Sequence, residues 1–340
     1  MDNKKIKVLI VDDSLVFREV LARGISSDPH IEVVAVARDA YDARDKIIEF
    51  SPDVMTCDVQ MPKMNGIEFI QRLLPQYPLP VIVISTVSNA VFDAMNAGAV
   101  DFVSKPDAAV PKSTETFIKE LIVKIKIAAN AKVKSIKSTS VRERNYVNGG
   151  NLKGKIIAIG ASTGGTEAIF SVLKSLSPAV PGIVIVQHIP PVFSRMFADR
   201  LNTQTSFTAK EGRTGDYLEP GKVIVAPGDQ HLKIKKIGDS YRVECFQGEK
   251  VNGHCPSVDV LFESVANEVG KNAIGVILTG MGYDGAKGLL NMRKKGARTI
   301  GQDEKSCVVY GMPKVAFNIG AVEKQSSLER IPQTIYDMLS

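Results

Sequence analysis

Residues 155–165 read KIIAIGASTGG, a short apolar run rich in isoleucine that ends in small residues. Such a run is typical of a buried parallel strand, and the spacing of Thr166–Leu176 predicts that a helix follows it. Ser162 then lies on the strand-to-helix turn in a G-x-S-x-G pattern, where Gly160 and Gly164 allow a sharp turn that exposes the hydroxyl. This position suits a catalytic nucleophile, although a helix cap or a phosphate-binding turn uses the same residues.

The rest of the second half predicts an α/β sheet with an inserted antiparallel hairpin. The expected strands are Gly182–Gln187, Lys222–Ala226 and Ala273–Leu278, the helices are Ser194–Leu201, Val258–Val269 and Gly285–Lys294, and the hairpin joins Leu232–Ile237 to Tyr241–Phe246.

A serine nucleophile needs a base and an orienting acid, and both are expected at the carboxyl edge of this sheet. His188 directly follows the strand Gly182–Gln187, and Asp284 follows the strand Ala273–Leu278. His188 would take the Ser162 proton, Asp284 would hold the imidazole, and backbone amides would stabilise the oxyanion. The remaining histidines have a weaker claim to the role of base on position: His30, His231 and His254.

A competing pattern lies in the same region. Gly280–Gly285 reads GMGYDG, a formal G-x-G-x-x-G after a strand, and Asp303 and Glu304 follow about twenty residues later. This arrangement would suit a dinucleotide. However, the fingerprint normally opens such a domain, and a nucleotide site leaves Ser162 and His188 without a role.

The first half alternates strands with helices five times, which predicts a parallel sheet covered on both faces. The fold class is therefore α/β, with two doubly wound parallel-sheet domains. The expected strands are Ile6–Val11, Glu32–Ala37, Val54–Asp58, Val81–Ser85 and Asp101–Ser104, and the expected helices are Leu15–Ser26, Ala40–Phe50, Gly66–Leu74, Asn89–Ala97 and Thr114–Ala129.

Three carboxylates stand at the ends of these strands, namely Asp12, Asp13 and Asp58. Converging carboxylates repel one another unless a hard cation such as Mg²⁺ lies between them. With the hydroxyl of Ser85 and the ammonium of Lys105 nearby, the set suits phosphoryl transfer to a carboxylate. A helix-capping cluster is the alternative interpretation for the first two aspartates.

The 340 residues carry a net charge of +6, but the excess is local. Between Lys124 and Lys155 nine basic residues accompany one acidic residue, so the remainder is slightly acidic. The serine- and glycine-containing composition there predicts a flexible linker rather than a nucleic-acid surface. The predicted organisation is 1–130 for the first domain, 131–153 for the basic linker and 154–340 for the second domain.

Targeting signals and metal-binding patterns are not evident in the sequence. The chain opens directly into a strand-like segment and has no long apolar run, so neither a secretion signal nor membrane insertion is expected, and the location should be cytoplasmic. Four scattered cysteines without C-x-x-C spacing are expected to be reduced thiols: Cys57, Cys245, Cys255 and Cys307.

Three motifs of the first half resemble the receiver domains of response regulators: VDDS at 11–14, DVQMPKMNG at 58–66 and SKP at 104–106. The resemblance covers about 120 residues. It implies that Asp58 is phosphorylated by a histidine kinase and that Asp12 and Asp13 help it to hold Mg²⁺. It also implies that Ser85, Phe102 and Lys105 respond to the phosphate, although an aromatic residue such as Phe102 on a last strand is often only part of the core.

The second half resembles the catalytic domain of the chemotaxis protein-glutamate methylesterase (CheB) family. The matching motifs are IGASTGG at 159–165, VQH at 186–188, APGDQHL at 226–232, PSVD at 256–259, LTGMGYDG at 278–285, QDE at 302–304 and YGMP at 310–313. The resemblance implies that Ser162, His188 and Asp284 form the triad, that the Met281 amide donates to the oxyanion and that Thr163 lies close by. Cys255 departs from the family, which usually has arginine there.

Both resemblances together imply a phosphorylation-activated serine hydrolase. It would demethylate glutamate γ-methyl esters on chemoreceptors and also deamidate glutamines. No cofactor beyond the Mg²⁺ of the receiver is expected, nor a nucleic-acid partner, and the protein should be a monomer. The alternative is a receiver joined to a binding module without catalysis.

Overall fold

The computed structural model describes residues 4–86, 90–106, 112–133, 152 and 154–340. The chain divides into two compact units, Met1–Ser138 and Thr139–Ser340. The predicted linker at 131–153 lies largely outside the described residues, so its flexibility stays a prediction.

The first unit is a parallel sheet of five strands in the order β2-β1-β3-β4-β5. The predicted alternation of strand and helix is confirmed. The strands are β1 (Ile6–Val11), β2 (Ile31–Ala37), β3 (Val54–Asp58), β4 (Val81–Ser85) and β5 (Asp101–Ser104), and the helices are α1 (Leu15–Ile25), α2 (Ala40–Phe50), α3 (Gly66–Leu73), α4 (Ala90–Asn96) and α5 (Ser113–Ala128).

Strands β3 and β4 are buried along their whole length, as expected for central strands covered by helices on both faces. Where β3 ends, the chain turns back closely. A Cβ atom on Gly66 would lie 2.1 Å from the carbonyl oxygen of Asp58, and the Gly66 amide donates to the carbonyl of Val59. Only glycine lets α3 begin this close to the end of the strand that carries Asp58.

The second unit is a parallel sheet of seven strands in the order β15-β14-β13-β6-β7-β10-β8, with a separate antiparallel sheet in the order β11-β12-β9. The strands are β6 (Ile156–Ala161), β7 (Gly182–Gln187), β8 (Thr208–Glu211), β9 (Tyr217–Leu218), β10 (Lys222–Val225), β11 (His231–Ile237), β12 (Ser240–Phe246), β13 (Ala273–Ile277), β14 (Arg298–Gln302) and β15 (Lys324–Ser326). The helices are α6 (Gly165–Lys174), α7 (Pro191–Gln204), α8 (Val258–Glu268), α9 (Ala286–Lys294), α10 (Met312–Asn318) and α11 (Ile331–Leu339).

The second sheet is larger than the sequence predicted. Strands β8, β14 and β15 were not predicted, because their sequences are too polar to resemble buried strands. The predicted hairpin is present, and the two-residue strand β9 extends it to a three-stranded sheet. Helix α7 begins earlier than expected because proline is accommodated in its first turn, where the missing amide costs nothing.

Among the described residues, no helix combines the length and the apolar character needed to cross a membrane. The four cysteines all lie within the described ranges, and each is a free thiol.

Candidate active site

Three neighbouring strands of the second sheet bring the predicted catalytic residues to one edge. Strand β6 pairs with β13 on one side and β7 on the other, all in parallel. Ser162 follows β6, His188 follows β7, and Asp284 lies in the loop after β13. The His188 amide donates to the Ala161 carbonyl at 3.1 Å, and the Ser162 amide donates to the Thr279 carbonyl at 3.0 Å. The backbone itself therefore holds the three strand ends together.

His188 and Asp284 form a close pair. Nε2 of His188 lies 2.9 Å from Oδ2 of Asp284, and both side chains are almost fully buried. The other ring nitrogen, Nδ1, is also buried, and it has no hydrogen-bond partner among the residues that the structure describes. The acid thus orients the imidazole through one nitrogen, which leaves the second nitrogen able to accept a proton.

The carboxylate of Asp284 is held at the start of α8. Oδ1 accepts hydrogen bonds from the Ser257 hydroxyl at 2.8 Å and the Asn252 side-chain amide at 2.8 Å, and Oδ2 accepts from the Val258 amide at 2.7 Å. Burial alone would raise the pKa of Asp284, but its hydrogen bonds to His188, Asn252 and Val258 hold that pKa well below the usual value. The positive end of the α8 helix dipole, at the first turn, further stabilises the ionised carboxylate.

The turn around Ser162 partly differs from the sequence interpretation. Gly164 has φ of +74° and begins the turn into α6, as the G-x-S-x-G pattern predicts. Gly160 instead lies inside β6, and a Cβ atom there would come within 2.2 Å of Val258 on α8. The first glycine is therefore needed for the close packing of α8 on the strand, and only the second glycine makes the turn.

Two buried polar side chains that the sequence interpretation missed support this turn. The Gln187 side-chain amide donates to the carbonyl of Ser162 at 2.9 Å and to the carbonyl of His188 at 3.2 Å. The Thr279 hydroxyl donates to the Thr163 carbonyl at 3.0 Å, and the Thr279 backbone carbonyl accepts a hydrogen bond from the Ser162 amide. Their only sequence signal was their position beside the strand ends.

The two residues named for the oxyanion lie in different environments. Thr163 is buried, with 6% of its surface exposed, whereas Met281 is 49% exposed in the loop after β13. The oxyanion role of the two backbone amides stays a prediction. Cys255, the departure from the family pattern, is a half-buried free thiol that follows the loop residue His254.

His254 lies much closer to the site than its place in the sequence suggested. Its ring stacks face to face on the ring of His188, with centroids 3.7 Å apart and an interplanar angle of 6°. Asn252, two residues earlier, donates to Asp284 as described above. The same loop therefore contacts both the predicted base and the predicted acid.

The first unit places its predicted residues at the carboxyl edge of its own sheet. Lys105 Nζ donates to Oδ2 of Asp12 at 3.0 Å and to Oδ2 of Asp58 at 2.6 Å. Carboxylate oxygens of Asp12, Asp13 and Asp58 all lie within 4.8 Å of one another. Burial raises the pKa of the Asp58 carboxyl, and it outweighs the opposite influence of Lys105.

The helix-capping alternative is only partly correct for Asp12. The cap of α1 is Ser14, whose hydroxyl accepts from the Phe17 amide, while Asp12 Oδ1 accepts from the Ser14 amide at 2.9 Å. Asp13 is exposed. The buried carboxylate of Asp12 therefore contacts both the turn and Lys105.

The remaining predicted receiver residues, Ser85 and Phe102, are both buried. Ser85 is 1% exposed, and its carbonyl accepts from the Lys105 amide at 2.8 Å. Phe102 is 4% exposed and packs edge-on against Phe92, with ring centroids 6.4 Å apart. Phe102 thus occupies a core position, and its response to a phosphate stays a prediction.

Comparison with known proteins agrees with both halves of the structure. The family model described as CheB methylesterase matches residues 157–335, and the model described as response regulator receiver domain matches residues 8–110. A protein-glutamate methylesterase/protein-glutamine glutaminase of Syntrophomonas wolfei is 56% identical over 343 residues, which cover 99% of this chain and 98% of that protein. A protein of the same description from Syntrophotalea carbinolica is 47% identical over 350 residues, with 99% and 98% covered. The crystal structure of the Thermotoga maritima CheB methylesterase catalytic domain is 36% identical with a TM-score of 0.53, and the match covers 54% of this chain and 98% of that one.

Proposed function

The chain belongs to the CheB methylesterase family, and we propose that its second unit hydrolyses glutamate γ-methyl esters on chemoreceptors through Ser162, His188 and Asp284. The observation that carries the proposal is the buried pair of His188 and Asp284 at the sheet edge where Ser162 lies. Nδ1 of His188 has no hydrogen-bond partner among the described residues. The names of the full-length relatives support the substrate, and they also support deamidation of glutamine as a second activity.

The reaction follows from these positions. The Ser162 oxygen attacks the ester carbonyl carbon while His188 accepts the hydroxyl proton. The bond to the methoxy oxygen then breaks, and methanol leaves with that proton. Water then attacks the acyl carbon and gives one proton to His188, which returns it to the Ser162 oxygen as the acyl bond breaks and the glutamate side chain is released. With glutamine as the substrate, the same two steps release ammonia.

The hydrolase assignment is tested by methanol release from methyl-labelled receptor membranes. We expect Ser162→Ala to abolish release, because the variant has no nucleophile. Ser206→Ala is the matched control, since Ser206 is an exposed serine of the same unit, and it should keep wild-type activity. Equal release by wild type and Ser162→Ala would leave the binding-module alternative. Mass spectrometry of the receptor would detect conversion of glutamine to glutamate.

We further propose that phosphorylation of Asp58 by a histidine kinase activates the esterase in the cytoplasm. Asp12, Asp13 and Asp58 offer converging carboxylate oxygens, the ligands that Mg²⁺ prefers, and the raised pKa of Asp58 reflects a buried carboxyl with few donors. Bound Mg²⁺ would neutralise charge during phosphoryl transfer. Lys105 donates to a carboxylate oxygen of Asp58, which supports the proposal that it would also contact a phosphoryl oxygen on that residue.

This control is tested with a small acyl-phosphate donor and the intact chain. Wild type should incorporate phosphate only when Mg²⁺ is present and should then release methanol faster. Asp58→Asn should incorporate none and should keep the basal rate, since Asp58 lies outside the esterase site. Equal methanol release by wild type that has incorporated phosphate and by wild type without the donor would refute the regulation while leaving the hydrolase assignment intact.

A further inference from the structure

We propose that His254 is a positioning residue for His188, whose neutral ring stabilises the imidazolium that forms when Ser162 loses its proton. The inference rests on the catalytic roles proposed above. It assigns a function to a loop that is distant in the sequence from the strand ends that carry Ser162 and His188.

The contact between the two histidines is a full-face stack. The ring centroids are 3.7 Å apart and the planes are tilted by 6°. Because the contact uses the face of the His188 ring, both ring nitrogens stay available at its edge. Nε2 is bonded to Asp284, and Nδ1 is the buried nitrogen without a partner among the described residues. The stack therefore restricts the ring without competing for the proton.

A tight turn holds His254 in this place. The amides and carbonyls of Val251 and His254 exchange two hydrogen bonds of 3.0 Å, and the two central residues, Asn252 and Gly253, have φ of +54° and +84°. Both φ values are positive, as in the asparagine-glycine turns that close hairpins. The Asn252 amide also donates to Asp284 at 2.8 Å, so the turn is anchored on the acid while it covers the base.

The electrostatic surroundings keep His254 uncharged. The pKa of His254 is lowered from 6.5 to about 4, mainly by burial, with His188 and Lys250 acting in the same direction and Asp284 in the opposite one. At neutral pH the ring therefore presents a neutral π face to His188. A cation over the face of a neutral aromatic ring is attracted to it, whereas a second cation would repel the imidazolium.

Three variants of the intact chain separate aromatic stacking, simple packing and charge. His254→Phe keeps a neutral aromatic face, His254→Leu keeps only apolar volume, and His254→Arg keeps a planar group but adds a positive charge. The measurement is kcat/KM for methanol release between about pH 5 and pH 9, on variants whose circular dichroism matches that of the wild type.

We expect His254→Phe to stay within about threefold of wild type, His254→Leu to lose about tenfold and His254→Arg to lose about a hundredfold, because the imidazolium loses an attractive neighbour and then gains a repulsive one. In the leucine and arginine variants the acid limb of the profile should move to lower pH, since the protonated base is less stable there. A purely structural role would not move this limb.

The same rates for leucine and phenylalanine at every pH would overturn the inference, and so would an arginine variant that behaves like phenylalanine. If the arginine variant does not fold, the comparison of His254→Leu with His254→Phe still tests the inference. The proposed function fails separately: in that case wild type and Ser162→Ala release methanol equally, whatever residue stands at position 254.

Discussion

Asp58 of the first unit and Asp284 of the second are both buried at the carboxyl edge of a parallel sheet, and their pKa values are shifted in opposite directions. Asp58 ends β3, and Asp284 lies just beyond β13; they are 3% and 2% exposed. The pKa of Asp58 is raised, mainly by burial, whereas the pKa of Asp284 is strongly lowered although it is buried as well. Equal burial therefore does not decide the ionisation of a carboxyl group.

The difference comes from the donors around each carboxyl. Asp284 accepts from His188, Asn252, Ser257 and the first amides of α8, groups that are fixed by a helix end and a turn. Asp58 accepts from Lys105 and the Gln60 amide, and it shares the lysine with another carboxylate. A permanently ionised group suits the orienting acid of a triad. A less stabilised carboxylate with space for a cation suits a group that receives a phosphoryl group.

The two groups make opposite contributions to the pH dependence of stability. The lowered pKa of Asp284 means that its contribution is present above the unfolded value near 3.8 and is lost as the pH falls below it. The raised pKa of Asp58 means that the folded first unit holds this proton more tightly than the unfolded chain. The free energy of unfolding therefore falls as the pH rises from 3.8 through the folded value.

The largest expected effect comes from removing the charge of Asp284. Asp284→Asn should lower kcat for methanol release by about 10³- to 10⁴-fold, because His188 loses both its orienting acceptor and the charge opposite its imidazolium. Asp259→Asn is the matched control, since the Asn252 side chain donates to both aspartates whereas the hydrogen bond to His188 is made by Asp284. Asp259→Asn should lower kcat for methanol release by less than about tenfold. Equal losses in the two variants would contradict the orienting role.

The next effect tests the donors rather than the carboxylate. Ser257→Ala removes a hydroxyl that donates to Asp284 and also accepts from the Val260 amide as the cap of α8. We expect the free energy of unfolding of the second unit to fall by about 2 kcal/mol, from a lost bond to a charged group and a lost cap. Urea denaturation of the variant measures this change, with Ser206→Ala as the control. A loss below a few tenths of a kcal/mol would show that the remaining donors suffice.

The smallest effect concerns Asp58 and has the opposite sign. Asp58→Asn should raise the melting temperature of the first unit at pH 7 by a few degrees, because the buried charge is removed. The gain should be smaller at pH 4, because the raised pKa of Asp58 makes the wild-type carboxyl more protonated there than an ordinary aspartate. Calorimetry at both pH values measures it, and Asp45→Asn, an exposed aspartate, should have no effect. A lower melting temperature at pH 7 would mean that the bond to Lys105 outweighs burial.

Most of the sheet that positions the site was predictable from sequence. Runs such as Gly182–Gln187 are continuously apolar because helices cover both faces of the strand, and this composition is visible without a structure. Strand β14 was missed because Arg298, Thr299 and Gln302 make it resemble a loop, and β15 because it has three polar residues. Their pairing depends on neighbouring strands rather than on their own composition.

The candidate site shows the same limit. Ser162, His188 and Asp284 could be named because each follows a strand, and parallel strands align their carboxyl ends. Gln187, Thr279 and Ser257 could not be assigned their hydrogen bonds, because those bonds depend on side-chain directions across different elements. The prediction that Gly160 helps to turn the chain was wrong. A glycine that turns the chain and a glycine that makes room for Val258 cannot be distinguished in a sequence.

The sequence by itself determined the two α/β units, the carboxylate cluster of the first and the three strand ends of the second, because hydrophobic periodicity and strand order are local properties of the chain. Only the tertiary structure decided that Asp284 is held by the start of α8 and that His254 stacks on His188. Those contacts join segments far apart in sequence. They exist because packing places the 251–254 turn over the sheet edge, which no local preference of its residues specifies.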